Sequence, residues 1–466
     1  MSETTFKPRL GLWDATMIVA GSMIGSGIFI VSADISRTVG SAGWLIGIWL
    51  LTAFMTMCAA VSYGELSSMF PKAGGQYIYL KEAFNPLTGF LYGWSLFAVI
   101  QTGTIAAVGV AFSKFTAYLI PAVSEDLILF DLGFLKVSPA QALSIGVIIL
   151  LTFINTRGVQ GGKLIQTSFT VIKITSLFAL IVFGFVMMRG DVWDANWTNA
   201  WDVHKLKSDG TVESYAGVAV FGAIASAMAG SLFSSDAWNN VTFIAGEVKN
   251  PQRNVGLSLF FGTLIVAVIY NLTNIMYTAV LPINEIAFAV KDRVAVAASH
   301  YIFGDIGTML IAVMIMISTF SCNNGLILSG ARVYYAMARD GLFFRKAGEL
   351  NRFSVPQLAL WVQCILACIW CLSGRYSDLL DMVSFVVILF YVITIIGIFV
   401  LRKKMPEAER PYKAFGYPWL ASIYVLMGSA FCAFLIIYKP KFTWPGLIIT
   451  LIGIPVYYIA VRNKKS

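Results

Sequence analysis

The sequence predicts an all-α membrane protein that crosses the bilayer about twelve times. Of the 466 residues, 58% are hydrophobic and only 12% are charged, whereas a soluble domain carries about a quarter charged residues. Apolar stretches long enough to cross the hydrocarbon core as helices also follow one another along the whole chain. The composition and this repetition together indicate a polytopic helical membrane protein.

The predicted spans leave no room for a soluble domain, so we interpret residues 1–466 as a single transmembrane domain. The residues before the first span lack the apolar core and small-residue cleavage site of a secretion signal, and we expect that span to be retained. The spans are residues 15–33, 38–64, 83–113, 137–156, 164–188, 214–246, 254–284, 306–331, 353–374, 382–401, 414–438 and 442–461.

The basic residues predict the orientation. Lys and Arg concentrate in the short segments 332–352, 402–404 and 462–465, which the spans place on the same side as the N-terminus. Cytoplasmic segments carry such an excess, so we expect both termini in the cytoplasm and the protein in the plasma membrane. The net charge of +9 is then a topology signal, and we expect no nucleic-acid partner.

The chemistry-bearing residues argue against an enzyme and against a metal or cofactor. The chain has two histidines, His204 and His300, and both fall in predicted outer loops. The six cysteines lie in apolar stretches with no histidine or acid beside them, which indicates packing residues and no metal site. We identify no nucleophile–base pair at membrane depth, and so no catalytic residue and no cofactor.

Two spans are interrupted by poor helix formers at mid-membrane depth. The first contains G-S-M-I-G-S-G-I-F at residues 21–29, and the sixth contains G-S-L-F-S-S-D-A-W-N at residues 230–239. Matching breaks in two halves of a chain are typical of transporters built from inverted repeats. We therefore predict a five-plus-five inverted repeat, with residues 12–188 and 214–401 as the two repeats and residues 414–461 as accessory helices.

The breaks predict a site for a zwitterionic ligand. Gly25 and Gly27 let backbone N–H groups approach a carboxylate, and the Ser26 hydroxyl can add a hydrogen bond. Carbonyls freed on the other side of a break can accept from an ammonium group. Gly21 and Gly25 could instead form a small-residue packing face. The matching break in the sixth span favours the binding site.

Several charged residues fall at informative positions. Lys173 lies near the middle of the fifth span, where a charge costs at least ~2.5–3.5 kcal/mol, so a functional role is favoured over a structural ion pair. Asp236 either caps the second half of the sixth span or faces the pocket, and its neighbours Phe233 and Trp238 could close over a ligand or simply pack. Charges near the cytoplasmic helix ends are more readily explained as interfacial than as gating pairs; these are Glu65, Glu247 and Arg332.

These motifs resemble the amino acid–polyamine–organocation transporters, and among them the L-amino-acid transporter exchangers. Residues 21–29 resemble the family's helix-one signature, and residues 70–81 contain its P-x-x-G-G-x-Y segment. Residues 233–254 are similar to its F-x-x-x-x-W-N … E-x-x-N-P-x-R-N run. The matches follow one another in order over most of the chain.

The resemblance implies a leucine-transporter-type fold with alternating access. It implies that the N–H groups at Gly25–Gly27 bind the substrate carboxylate and that carbonyls in both breaks, with Asp236, receive its amino end. Phe233 would act as an outer gate. The expected substrate-binding residues all lie in the two breaks: Met23, Gly25, Ser26, Gly27, Phe233, Ser234, Asp236, Trp238 and Asn239.

The resemblance also places Lys173 where family members carry a lysine in place of a sodium ion. It therefore implies sodium-independent transport, with Lys173 touching the broken part of helix one. Many relatives have glycine where Asp236 stands and others have aspartate, which leaves the substrate side chain open. The outer loop 120–136 lacks the cysteine that links animal members to a heavy subunit. We expect no such subunit, with a monomer as the simplest assembly.

The leading hypothesis is sodium-independent exchange of neutral L-amino acids across the plasma membrane. One alternative is a proton-coupled importer in which Lys173 changes protonation. Another is a cationic amino-acid or polyamine transporter that uses Asp236. From a different class, a transporter-like sensor would bind an amino acid without moving it, but such sensors usually add a cytoplasmic domain or long tail that the sequence does not predict.

Overall fold

The computed structural model describes residues 8–131, 136–373 and 376–465, and these are almost entirely helical. In the first half, a π-helical turn at Leu96–Ile100 joins two helices and a 3-10 turn lies at Pro121–Val123. The α-helices there are α1 (Leu12–Met23), α2 (Gly27–Val39), α3 (Ala42–Met69), α4 (Gln76–Ala83), α5 (Pro86–Ser95), α6 (Gln101–Leu119), α7 (Pro139–Thr156), α8 (Val159–Val186) and α9 (Gly190–Trp197).

The second half continues the helical pattern, with 3-10 turns at Ala245–Glu247, Val290–Asp292 and Arg345–Gly348. Its α-helices are α10 (Ala219–Ser234), α11 (Asn240–Phe243), α12 (Pro251–Val280), α13 (Ile283–Ala287), α14 (Val294–Arg339), α15 (Gln357–Ser373), α16 (Tyr376–Lys404), α17 (Trp419–Tyr438) and α18 (Pro440–Lys465).

Two short antiparallel strand pairs interrupt this pattern between helices. Strand β1 (Phe130–Asp131) pairs with β2 (Lys136–Val137), with Phe130 opposite Val137. Strand β3 (His204–Leu206) pairs with β4 (Val212–Ser214). The sequence did not predict them, because strands of two or three residues are too short to show an alternating pattern.

The prediction of a polytopic helical membrane protein is confirmed. Within the described ranges, nine helices are long and apolar enough to cross a bilayer, and α1 with α2 makes a tenth if the bent pair is one span. Two shorter apolar helices, Ala219–Ser234 and Gln357–Leu372, fall below the length of a full span. The count of twelve crossings stays a prediction.

The longest helix extends well beyond its predicted span. The sequence indicated residues 306–331, but α14 contains 46 residues and bends at Gly304, where φ is +67°. An apolar span ends where polar residues begin, whereas hydrogen bonding along a helix continues into water. Only glycine adopts this backbone conformation readily, so Gly304 marks the bend.

A short N-terminal strap, residues 9–11, fixes the start of α1 to the segment that follows α11. The fully buried Leu10 forms a parallel bridge with Val248. The backbone N–H of Leu10 donates to Glu247 O at 3.0 Å, and that of Lys249 donates back to Leu10 O at 2.8 Å. We call this end of the molecule the strap side.

Ion pairs close both ends of the helix bundle. On the strap side, the buried Arg332 Nε lies 3.0 Å from Glu247 Oε1, and Arg402 Nη2 lies 2.7 Å from Glu65 Oε2. On the opposite side, Arg37 Nη1 lies 2.6 Å from an Asp292 carboxylate oxygen. Glu65, Glu247 and Arg332 thus all pair with charges of opposite sign, although a gating role stays a hypothesis.

Candidate substrate site

The first break lies between α1 and α2, whose axes are bent by 41°. At Ile24 the backbone leaves the helical region, with ψ at 88°. Carbonyls at such a break lose their helical partners and need other donors. Lys173 Nζ donates to Gly21 O at 2.6 Å and to Ile24 O at 2.7 Å. Ser318 Oγ donates to Ile24 O at 3.0 Å.

Lys173 reaches this break from α8 and is buried. The contact with the broken part of helix one that the resemblance implied is therefore present. In the part of the chain that the structure describes, no carboxylate lies within ion-pair distance of its Nζ. An ammonium group buried at membrane depth needs polar partners. Here the partners are backbone carbonyl oxygens. Its role in transport stays a prediction.

The second break runs from the end of α10 at Ser234 to the start of α11 at Asn240. Ala237 adopts a φ of +65°, which a residue with a side chain rarely adopts. The Tyr391 hydroxyl donates to Asp236 Oδ1 at 2.5 Å. Asn239 is the N-cap residue of α11, so Asp236 does not cap that helix. Its carboxylate lies beside the cavities described below.

The two breaks touch each other. A Cβ atom on Gly27 would lie 1.9 Å from Ser234 Oγ and 2.5 Å from Ser234 Cβ. One turn away, a Cβ on Gly230 would lie 2.4 Å from Val31 Cγ1. Glycine at residues 27 and 230 therefore allows the two broken helices to approach at van der Waals distance.

Tyr270 of α12 connects the breaks and was not singled out by the sequence. Its hydroxyl lies 3.0 Å from Met23 O and 3.1 Å from Ser234 O, so its one hydrogen can be donated to either carbonyl or shared by both. Met23 O also accepts from the N–H of Gly25 at 2.8 Å. The Met23 carbonyl, expected to receive the substrate's amino end, thus has protein donors in this conformation.

A central cavity lies between the breaks, and a second one lies beside α4 and α11. They share Thr104, Asp236 and Ala237, and each has room for about one water molecule. The central cavity is also lined by Ser22, Met23, Gly25, Ser26, Gly27, Val108, Phe233, Ser234 and Cys322. The second is also lined by Gln76, Tyr92, Leu96, Ile100, Gln101, Asn239, Asn240, Phe243, Leu326, Val387 and Tyr391.

The central cavity collects most of the residues expected to bind substrate, but not Trp238 or Asn239. Trp238 is buried against aromatic rings, with centroid distances of 4.8 Å to Tyr63 and 5.1 Å to Tyr391. Asn239 lines the second cavity and donates to Gln76 Oε1 at 3.1 Å. Three other cavity residues were not predicted, because the sequence around each of them shows no break: Thr104, Val108 and Cys322.

Comparison with known proteins identifies the family. The family model described as "Amino acid permease" matches residues 10–459. The chain belongs to the amino acid permease family. The permease is 31% identical to the serine/threonine exchanger SteT of Bacillus subtilis, over 100% of this chain and 99% of the relative.

Animal relatives of the permease are also similar over nearly the whole chain. It is 28% identical to the mouse Asc-type amino acid transporter 1, over 100% of this chain and 83% of the relative. It is 28% identical to the human large neutral amino acids transporter small subunit 2, over 98% of this chain and 81% of the relative. The resemblance to L-amino-acid transporters is confirmed, and the protein is a multi-pass amino-acid transporter.

Proposed function

We propose that this permease exchanges neutral L-amino acids across the plasma membrane by alternating access and without sodium. The observation that carries the proposal is the pair of hydrogen bonds from Lys173 Nζ to Gly21 O and Ile24 O, at 2.6 Å and 2.7 Å. Carbonyls freed at a broken helix form a cation site. A covalently attached ammonium already occupies this one, so a sodium ion is not needed.

The substrate would lie between the two breaks in the central cavity. The N–H groups at Gly25–Gly27 would receive its carboxylate, while the carbonyls of Met23 and Phe233, with Asp236, would receive its ammonium group. The ammonium of Lys173 behind one break and the carboxylate of Asp236 in the other would orient a zwitterion. The similarity to the serine/threonine exchanger of Bacillus subtilis favours small side chains.

The same proposal includes the architecture. A five-plus-five inverted repeat over residues 12–188 and 214–401 is supported by reciprocal packing, because α1 contacts α12 just as α10 contacts α3. Residues 414–461 would be accessory. The basic segments favour a cytoplasmic strap side, with both termini there. We propose a transporter without a disulfide-linked heavy subunit.

A second candidate function is transport of cationic amino acids or polyamines. The Asp236 carboxylate lines the central cavity and accepts from the neutral Tyr391 hydroxyl. Among the described residues, no cationic side chain lies within ion-pair distance of it. A buried carboxylate without a cation favours a positively charged ligand group.

Uptake into proteoliposomes tests the leading proposal. Vesicles would be empty or preloaded with unlabelled serine, with and without a sodium gradient, and radiolabelled serine, leucine or lysine would be offered outside. We expect serine uptake only into preloaded vesicles and no effect of sodium. Preferential lysine uptake would favour the second candidate.

Other outcomes would contradict the exchange proposal. Concentrative uptake into empty vesicles that requires an inward proton gradient would identify a proton-coupled importer. A sodium gradient that drives uptake would refute the assignment of Lys173 as the sodium substitute. Saturable serine binding to the purified protein, with no flux under any gradient or preload, would identify a sensor.

A further inference from the structure

Helices α7 and α15 lie side by side and antiparallel, away from the central cavity. At one end, Gln141 Nε2 donates to Cys371 O at 3.1 Å. At the strap-side end, Asn351 Nδ2, in the loop before α15, donates to Thr156 O at 2.9 Å. Hydrogen bonds thus join the two helices near both ends.

Both helices expose apolar side chains. Leu150 and Phe153 are exposed on α7, and Ile365 and Ile369 are exposed on α15. In a membrane protein such exposed faces contact acyl chains. Leu150, Phe153 and Arg157 follow at helical spacing, so Arg157 stands at the strap-side end of the apolar face of α7.

Two guanidinium groups lie at that end. Arg157 stacks over Phe153 at 4.8 Å from the ring centroid, and Arg352 stacks over Phe353 at 4.7 Å. Both arginines are exposed. A Cβ on Gly158 would lie 3.6 Å from Phe353 Cβ, so the residues next to the two arginines are neighbours in space. Among the described residues, neither guanidinium has a carboxylate within ion-pair distance.

We propose that the α7–α15 surface binds an anionic phospholipid of the leaflet on the strap side. Arg157 and Arg352 would hold the phosphate, since a guanidinium offers paired donors that match phosphate oxygens. The acyl chains would lie along the exposed apolar side chains of both helices. Anionic lipids are enriched in the cytoplasmic leaflet. The basic segments of the chain predict that the strap side faces this leaflet. A soluble phosphate ion would use only the arginines.

Thermal unfolding of the full-length protein in detergent tests the proposal. The protein would be titrated with phosphatidylglycerol or phosphatidylcholine, and the midpoint temperature followed by tryptophan fluorescence. The test variants are Arg352→Gln and Arg157→Gln/Arg352→Gln. The matched control is Lys72→Gln/Lys403→Gln, which removes two exposed cations from the same side.

We expect phosphatidylglycerol to stabilise the wild type and the control at lower concentrations than phosphatidylcholine does. Each arginine near a membrane surface contributes about 1 kcal/mol to binding an anionic lipid, so the concentration needed should rise about fivefold in the single variant and about 25-fold in the double variant. Arg352 lies in a loop, so the single variant tests the proposal even if the double variant does not fold.

Three results would overturn the proposal. The first is an unchanged phosphatidylglycerol response in Arg352→Gln. The second is an equal loss of response in the lysine control, which would indicate a non-specific charge effect. The third is an equal stabilisation of the wild type by inorganic phosphate, which would indicate a site for soluble anions.

Discussion

The two broken helices have side chains of opposite charge at their breaks. The break between α1 and α2 spans three residues, and its freed carbonyls receive an ammonium group from another helix, through Lys173. The break after α10 is longer and carries its own carboxylate, Asp236, which accepts from the Tyr391 hydroxyl. One break thus depends on an external cation, while the other contains an anion and a residue with positive φ, Ala237.

This difference indicates which helices each break can move with. The first break is bonded to α8 and α14, through Lys173 and Ser318. The second is bonded to α16 through Tyr391. Tyr270 of α12 contacts both. Alternating access requires the two groups of helices to separate, and the following substitutions test how firmly each break is held.

The largest effect is expected for Lys173→Met. The variant leaves the carbonyls of Gly21 and Ile24 without a charged donor, and each such hydrogen bond contributes about 1.5–3 kcal/mol. We expect serine exchange in proteoliposomes to fall at least ~100-fold. Lys114→Met serves as the control, because Lys114 lies on α6, outside both breaks. Similar losses in both variants would show that the first break does not depend on its cation.

Gly27→Ala tests the contact between the breaks. The new Cβ would overlap Ser234 Oγ, and overpacking of this kind destabilises by about 1–3 kcal/mol. We expect exchange to fall roughly tenfold, with partial recovery in Gly27→Ala/Ser234→Gly. Gly146→Ala is the control, because among the described residues nothing beyond its own helix backbone and chain neighbours lies within 4 Å of the Cβ it would introduce. Absence of recovery in the double variant would argue against the overlap as the cause.

Tyr270→Phe removes the hydroxyl that contacts both breaks. A hydrogen bond of this kind contributes about 1 kcal/mol net, so we expect exchange to fall about fivefold to tenfold. Tyr277→Phe, on the same helix, removes a hydroxyl that donates to Ile28 O at 3.3 Å, outside the breaks. Equal exchange rates in the two variants would show that the hydroxyl contact with both breaks does not contribute to transport.

The smallest effect on neutral substrates is expected for Asp236→Asn. The amide oxygen can still accept from Tyr391 and from the substrate's ammonium group, and a charged acceptor exceeds a neutral one by roughly 1 kcal/mol. We expect serine exchange to change less than about fivefold. The ratio of lysine to serine uptake distinguishes the two candidate functions: loss of lysine uptake alone would indicate that Asp236 binds a cationic side chain, and not only the α-ammonium group that both substrates share.

The sequence predicted the features that conflict with an ordinary membrane helix. Gly25 and Gly27 in one span and Asp236 in another are poor helix formers, and Lys173 is costly to bury, so each stood out without any knowledge of its neighbours. Tyr270 and Ser318 could not be predicted in this way. A hydroxyl on an unbroken helix can bond its own helix, as Thr273 does with Ile269 O, or cross to another, and only the packing decides.

The same limit explains Trp238. An aromatic residue beside a break fits a binding site as well as it fits a packed core, and the structure places it among Tyr63 and Tyr391. The element bounds were least predictable where a helix leaves the apolar region, as at the start of α14. Hydropathy indicates which part of a helix lies in the membrane, but not where its backbone hydrogen bonds begin and end.

The N-terminal strap has a mechanical consequence. Leu10 lies two residues before α1 and is paired with Val248, which follows α11 and its 3-10 turn. The strap therefore joins the strap-side halves of the two broken helices. Three backbone hydrogen bonds couple Arg9 and Leu10 to Glu247 and Lys249, so we expect a displacement at Arg9 to reach both half-helices together.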